Sequence, residues 1–277
     1  MDSVVKSVEN IELSSRVKEH LEFTYADYQK FLDNLYMLDK KVLKLFLRTL
    51  KDRELINNQE TELEDPFLME LYRNHQRKDS IEIVTGLFED NKITMEEVKK
   101  LHRVVIKGSS DDVYKNYAYR TDNDKWVGSY GYNGERQVDY YPPDYREITE
   151  LITYTLDFLN NDSTGNSLNH ILVKPFIVHG LMAYIQPFGN GNTRLSRVLQ
   201  HGKIWQMTNN ILGTDLSLPV LYLSKNYLQT RAQYRELISK IATEQDWNAW
   251  LNYNLNMADE HLYFSETRLE QVKKMIR

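Results

Sequence analysis

Residues 175–185 read Pro-Phe-Ile-Val-His-Gly-Leu-Met-Ala-Tyr-Ile. Wound as a helix, this stretch is apolar on nearly every side, so it has no face for water and must lie inside a shell of other elements. Only 6 prolines and 11 glycines interrupt 277 residues, so that shell is expected to be built of long helices. The buried helix delivers the chain into Gln186-Pro187-Phe188-Gly189-Asn190-Gly191-Asn192-Thr193-Arg194-Leu195-Ser196-Arg197. Small residues allow close backbone approach, a helix N-terminus presents free N–H groups and a positive dipole end, and arginines at i and i+3 share a face. Together these describe an anion site, most naturally for phosphate. On spacing alone, a plain Gly/Asn turn before a basic helix fits equally well.

Amphipathic stripes supply the shell. Leu21, Tyr25, Tyr28, Leu32, Leu35 and Tyr36 repeat at helical spacing, followed by Leu38, Val42, Leu45, Phe46 and Leu50. Residues 57–66 read as a polar, acidic loop, with Pro66 suited to the first turn of a helix over 67–90. Thr94 is an N-cap for a helix with Val98, Leu101, His102, Val105 and Ile106 on one face, ending near Gly108. His102 and His179 both fall on apolar positions and read as packed, hydrogen-bonded residues rather than ligands. Further helices are expected from Glu147, over 225–240 and from Asp246 to the end.

Between 109 and 147 the helical period stops and Tyr, Gly and Asn take over. Residues 126–130 and 137–141 read as two strands around the turn Gly131-Tyr132-Asn133-Gly134, stopped by Pro142-Pro143. A two-stranded hairpin is marginal unless packed on something. Its surface-loop reading and its reading as a flap that pairs with a partner's extended backbone stand side by side. The division expected is an N-terminal helical region over 1–90 and a core with closing helices over 91–277.

Bulk properties narrow the function. The net charge of −5 and the missing basic stripe count against a partner held by its nucleic acid backbone. With no cysteine there is no disulfide, thiolate metal site or cysteine nucleophile, which fits a reducing compartment. The N-terminus lacks an apolar signal core, and no run reaches the roughly 20 apolar residues that span a bilayer. The expectation is a cytoplasmic protein with no membrane partner.

Gln186 to Arg197 resembles the Fic signature His-Pro-Phe-x-(Asp/Glu)-Gly-Asn-(Gly/Lys)-Arg-x-x-Arg through Pro187, Phe188, Gly191, Asn192, Arg194, Arg197 and their spacing. Leu101-His102, Val127-Gly128-Ser129, Tyr141-Pro142-Pro143, the 175–185 helix, Trp247 and Trp250 extend the resemblance over roughly residues 90–260. It implies a mainly α fold, a helical bundle with a short β-hairpin flap. It also implies transfer of AMP from ATP to a Ser, Thr or Tyr hydroxyl of a target protein, or of the chain itself, with Mg²⁺; a homodimer is compatible with it. Gly191, Asn192, Arg194 and Arg197 would bind the phosphates, and Val127, Gly128 and Ser129 would form the target-binding flap.

Three positions depart from the signature. The family's general base, a His, is Gln186 here, and an amide takes up no proton near neutral pH. The acidic Mg²⁺ ligand is Asn190, a poorer ligand for a hard cation. Thr193 stands where the signature has Gly or Lys. Many family members carry an inhibitory helix, (Ser/Thr)-x-x-x-Glu-(Gly/Asn). Val5-Lys6-Ser7-Val8-Glu9-Asn10 resembles it, which implies that Glu9 pairs with Arg197. The two functions carried forward are a weak, autoinhibited Fic-type AMP transferase and an inactive Fic-like protein that keeps nucleotide or partner binding.

Overall fold

The computed structural model describes residues 2–60, 80–89, 92–106, 117–162 and 167–276. The expected first turn at Pro66, the helix over 67–79 and the helix end near Gly108 lie outside the described residues. Ahead of the hairpin come α1 (Ser3–Ser7), α2 (Ser15–Tyr36), α3 (Lys40–Glu60), α4 (Ser80–Glu89) and α5 (Met95–Ile106). The strands β1 (Val127–Tyr130) and β2 (Arg136–Tyr140) are followed by α6 (Ile148–Asn160), α7 (Val173–Ile185) and α8 (Asn192–Leu212). The chain closes with α9 (Ser224–Gln229), α10 (Arg231–Glu244) and α11 (Trp247–Ile276). Among the described residues the fold is mainly helical, with one two-stranded sheet.

The all-round apolar stretch is the centre. Every residue of α7 is buried, and α6, α8, α10 and α11 pack around it. Its polar members are satisfied from within. His179 Nε2 lies 2.9 Å from the Tyr234 hydroxyl, and Nδ1 meets the Gln200 amide oxygen. Burial holds His179 down at about 3, so it stays a neutral packed residue. Lys174 donates to Asp162 Oδ1 at 3.0 Å and Lys203 to Oδ2 at 2.8 Å, pinning the end of α6 to α7 and α8.

Helix α5 begins with a capping box. Thr94 Oγ1 accepts from Glu97 N at 3.3 Å, and Glu97 Oε2 accepts from Thr94 N at 2.6 Å. Its buried side chains are the expected stripe, Val98, Leu101, His102, Val105 and Ile106.

The hairpin pairs antiparallel, Ser129 opposite Gln137, with a register shift at Val127/Gly128. Gly128 is required there, because a Cβ would come within 2.0 Å of the Gln137 carbonyl oxygen. Helix α10 supplies the packing that an isolated hairpin lacks. Arg235 holds Asp139 Oδ2 at 2.7 Å, and Ser239 Oγ donates to the Asp139 carbonyl at 3.2 Å.

Two segments differ from their sequence pattern. Helix α3 runs on through residues 57–60, which read as loop. The helix expected over 225–240 breaks at Thr230, whose hydroxyl donates to the Asn226 carbonyl at 2.8 Å and competes with the backbone ladder. Buried apolar side chains from Val4 to Leu269 join one core, so residues on both sides of position 90 contribute to it.

Candidate active site

The turn that leaves α7 is a left-handed one. Gln186 sits at φ 48°, ψ 58°, a conformation that costs a residue with a Cβ about 1 kcal/mol or more. Arg120 holds it there. Its Nε donates to the Gln186 carbonyl at 3.0 Å, and its backbone N–H to the Pro187 carbonyl at 2.9 Å. The same guanidinium reaches the carbonyls of Asp122 and Pro143, joining the flap's two flanks to the loop. Nothing in the sequence marked Arg120; it lies in aperiodic chain, and only the fold brings four acceptors to it.

Asn192 closes the loop from inside. Its Oδ1 accepts from Phe188 N at 2.9 Å, and its Nδ2 donates to the Phe188 carbonyl at 2.9 Å and to Gln186 Oε1 at 3.0 Å. Expected as a phosphate donor, the Asn192 carboxamide is instead spent on loop shape; its helix-terminal N–H is the part left to face a ligand. Gly191 has φ +75°, and a Cβ on it would lie 2.3 Å from Ile106 Cγ2, so α5 touches the loop directly. His102 stacks flat on Phe188 at 3.7 Å and pairs through Nε2 with the Asn190 carbonyl at 2.9 Å. Burial keeps its imidazole near 4, hence neutral.

A cleft of about 210 Å³ opens beside this loop, between the hairpin, the start of α8 and the α9–α10 region. Gln186, Thr193 and Arg197 line it from the loop side, and Val127, Gly128 and Tyr140 from the hairpin. Tyr227, Arg231, Tyr234 and Arg235 face them. This wall of two tyrosines and two arginines was not singled out from the sequence, because its members sit on two short helices whose break is not legible. Aromatic faces suit a base, and cations suit phosphate. The volume is below the usual range for a small-molecule site, roughly 300–1,000 Å³, so the cleft as it stands has room for a fragment of such a ligand.

Of the residues expected to form the site, Gln186, Arg197, Val127 and Gly128 meet in this cleft; Ser129 lies further along β1, its hydroxyl 3.3 Å from Gln137 Oε1. Arg194 turns the other way and donates to the Val105 carbonyl at 3.4 Å, at the C-terminal end of α5. Asn190 is exposed and lines a separate cavity of about 690 Å³ with His102, Tyr119 and Asp124. Lys125 borders both cavities and donates to the Gly189 carbonyl at 2.7 Å.

Glu9 is not brought to Arg197. It is exposed in a single turn after α1 and hydrogen-bonds the Tyr154 hydroxyl, which burial and the Glu9 charge push up to about 12. The carboxyl near Arg197 belongs to Glu54 on α3, 2% exposed. Glu54 Oε1 accepts from Ser224 Oγ and lies 3.5 Å from His201 Nδ1. Burial drives its pKa up to about 8, while Ser224 and the Arg197 charge pull it down.

Gln186 itself is 8% exposed and fully bonded, its Nε2 donating to the Ala183 carbonyl at 2.7 Å. No proton acceptor stands at that position. With Asn190 neutral and turned away from the cleft, and no group of three His, Cys, Asp or Glu among the described residues able to hold a metal, the donor set does not fit a protein-held Mg²⁺. No helix among the described residues is long and apolar enough to cross a membrane.

Comparison with known proteins gives the same frame. Residues 92–201 match the family model described as Fic/DOC family. A Fic family protein from Desulfovibrio desulfuricans G20 superposes with a TM-score of 0.64 at 15% identity, over 93% of this chain and 76% of that one. Fic-1 (residues 134–508) from C. elegans superposes at 0.65 and 15% identity, over 93% and 74%. A Fic domain containing signaling protein from Bacteroides thetaiotaomicron superposes at 0.62 and 15%, over 92% and 97%. At that identity the superpositions establish the fold.

Proposed function

We propose that this Fic/DOC domain binds a nucleoside triphosphate in the cleft and transfers AMP to a protein hydroxyl slowly, with Glu54 holding the site in check. The observation that carries the reading is Arg197. It is 2% exposed, lines the cleft, and its charge acts on the buried Glu54 carboxyl without a hydrogen bond between them. With the α8 N-terminus beside it, a phosphate chain would find a cation and free N–H groups on one wall. Once ionised, as pH rises through about 8, Glu54 draws on the same Arg197 charge as that phosphate, the part expected of Glu9.

In the transfer, the target hydroxyl oxygen bonds to the α-phosphorus and the bond to pyrophosphate breaks. The hydroxyl proton must leave, and Gln186 cannot take it, so it passes to water. Losing a positioned base typically costs about 10²–10⁴ in rate. The flap would hold the target's backbone, with its hydroxyl next to Gln186.

A second reading, nucleotide or partner binding without chemistry, is favoured by the closed hydrogen bonding of Gln186. Labelled ATP separates the two. Slow label transfer to the chain or to lysate proteins by Glu54→Gln, abolished by Arg197→Met, supports the enzyme. Binding of ATP without transfer, even after Gln186→His, leaves only the binding protein. Absence of ATP binding in Glu54→Gln would sink the enzyme and the nucleotide-binding reading together.

A further inference from the structure

A small cavity of about 80 Å³ borders Glu54 and shares no lining residue with the cleft. Arg53, Lys225 and Arg268 stand on its wall, and Glu54 is the one acidic residue among its described lining. Neither Arg53 nor Arg268 has an ion pair among the described residues, and Lys225 lies over the Phe264 ring at 5.0 Å. Three cations around one pocket is a charge arrangement that draws an anion. The room equals two or three waters at about 30 Å³ each, the size of a single tetrahedral oxyanion.

The second observation is inside the cavity wall. Glu54 Oε2 is buried and has no hydrogen-bond partner, while Oε1 accepts from Ser224 Oγ. A buried polar atom left alone calls for an explanation. Burial favours the protonated carboxyl, and with Oε1 already accepting, the proton belongs on Oε2. That turns the orphan atom into a donor without an acceptor. The groups facing Glu54 are Arg197 and His201 from α8, Ser224 and Lys225 from α9, Arg53 from α3, and His261 and Arg268 from α11. His201 and His261 are held neutral by burial, so neither competes for the anion as a cation or repels it as a base.

We propose that this cavity is an inorganic oxyanion site, in which Arg53, Lys225 and Arg268 supply the charge and the Glu54 Oε2–H supplies a hydrogen bond. Through Glu54 the site is coupled to Arg197. A bound oxyanion keeps the proton on the carboxyl, and a neutral Glu54 no longer attracts the Arg197 charge, which leaves the arginine available to the cleft. That coupling rests on the nucleotide reading of the cleft; the binding does not.

Sulfate is the probe, since its charge is constant across the pH range used. Calorimetric titration of the full chain at pH 7 should show a sulfate site that persists in Arg197→Met. It should weaken at least tenfold in Arg53→Ala/Arg268→Ala, and also in Lys225→Glu, an exposed change that leaves folding intact. Raising the pH from 7 to 9 should weaken sulfate binding in the wild type and leave it unchanged in Glu54→Gln. Loss of the sulfate site in Arg197→Met with no effect of the cavity variants would place it in the cleft and overturn the proposal, as would no saturable sulfate binding by the wild type. If sulfate binds as expected and ATP does not bind at all, the cleft reading fails and the oxyanion site stands.

Discussion

Asn192 Nδ2 donates to Gln186 Oε1 across 3.0 Å, so the first residue of α8 holds the side chain that caps α7. Two amides face each other where a Fic domain has a base beside its phosphate loop. Each is satisfied on both its oxygen and its nitrogen. The loop's shape is therefore fixed from within, and the side chain at position 186 has no group that takes up a proton.

Gln186→His tests that separation. Arg120 holds the backbone at position 186 and Asn192 also bonds the Phe188 main chain, so the frame survives the loss of the glutamine's own bonds to Asn192 and Ala183. Restoring a base should raise AMP transfer by about 10²–10⁴ over the wild type, measured as label transferred per minute in the Glu54→Gln background. An unchanged rate with intact ATP binding would place the defect elsewhere in the cleft.

Asn192→Ala removes three buried hydrogen bonds at once. With each worth about 1 kcal/mol and the abandoned Phe188 and Gln186 groups left buried, the loss should be about 3 kcal/mol. Denaturant unfolding checks it. Gly191→Ala should cost at least as much as a large-to-small core change, since the new Cβ meets α5 at 2.3 Å in a left-handed backbone.

Glu54 gives a pH dependence with a definite sign. Its folded pKa, about 8, lies above the unfolded carboxyl value, so the folded state retains the proton longer. Its contribution to stability is therefore undiminished below the unfolded pKa and declines as pH rises towards 8. Over the same rise the ionised carboxylate attracts the Arg197 charge more strongly. Nucleotide affinity should fall between pH 7 and 9 in the wild type and stay level in Glu54→Gln, read by calorimetry at each pH.

The buried histidines set the acid limit. His102 and His179 are held at about 4 and about 3, and His201 well below its usual range, all by burial. For these bases stability is complete above the unfolded pKa, near 6.5, and drains as pH falls through 6 towards 4. Each contributes a slope of up to about 1.4 kcal/mol per pH unit. Melting temperature should drop steeply over that interval, and His179→Gln should flatten the drop.

Asp139 and Arg235 latch the hairpin onto α10 at 2.7 Å beside the cleft mouth. The pair is partly exposed, so Asp139→Asn should change stability by less than about 1 kcal/mol. It should speed nucleotide association and deprotect β2 amides in hydrogen exchange. Equal association rates would mean that the hairpin does not gate entry.

Local patterns were legible wherever neighbours in the chain are also neighbours in space. The Thr94–Glu97 capping box, the α5 stripe, the all-round apolar α7 and the hairpin follow from spacing within a few residues, because helical and strand periods are local properties. The Gly/Asn turn opening into the helix that carries Arg194 and Arg197 was legible for the same reason. Which buried carboxyl lies within reach of the Arg197 charge was not. Glu9 matched a short pattern, yet it sits exposed beside Tyr154, while Glu54 matched none and is carried inward by the packing of α3 against α9. The work done by Arg120, and the bonding of the Asn192 carboxamide within the loop, also emerged only in the folded chain. A buried charge or amide is defined by the acceptors around it, and those come from segments far apart in sequence whose meeting is set by core packing.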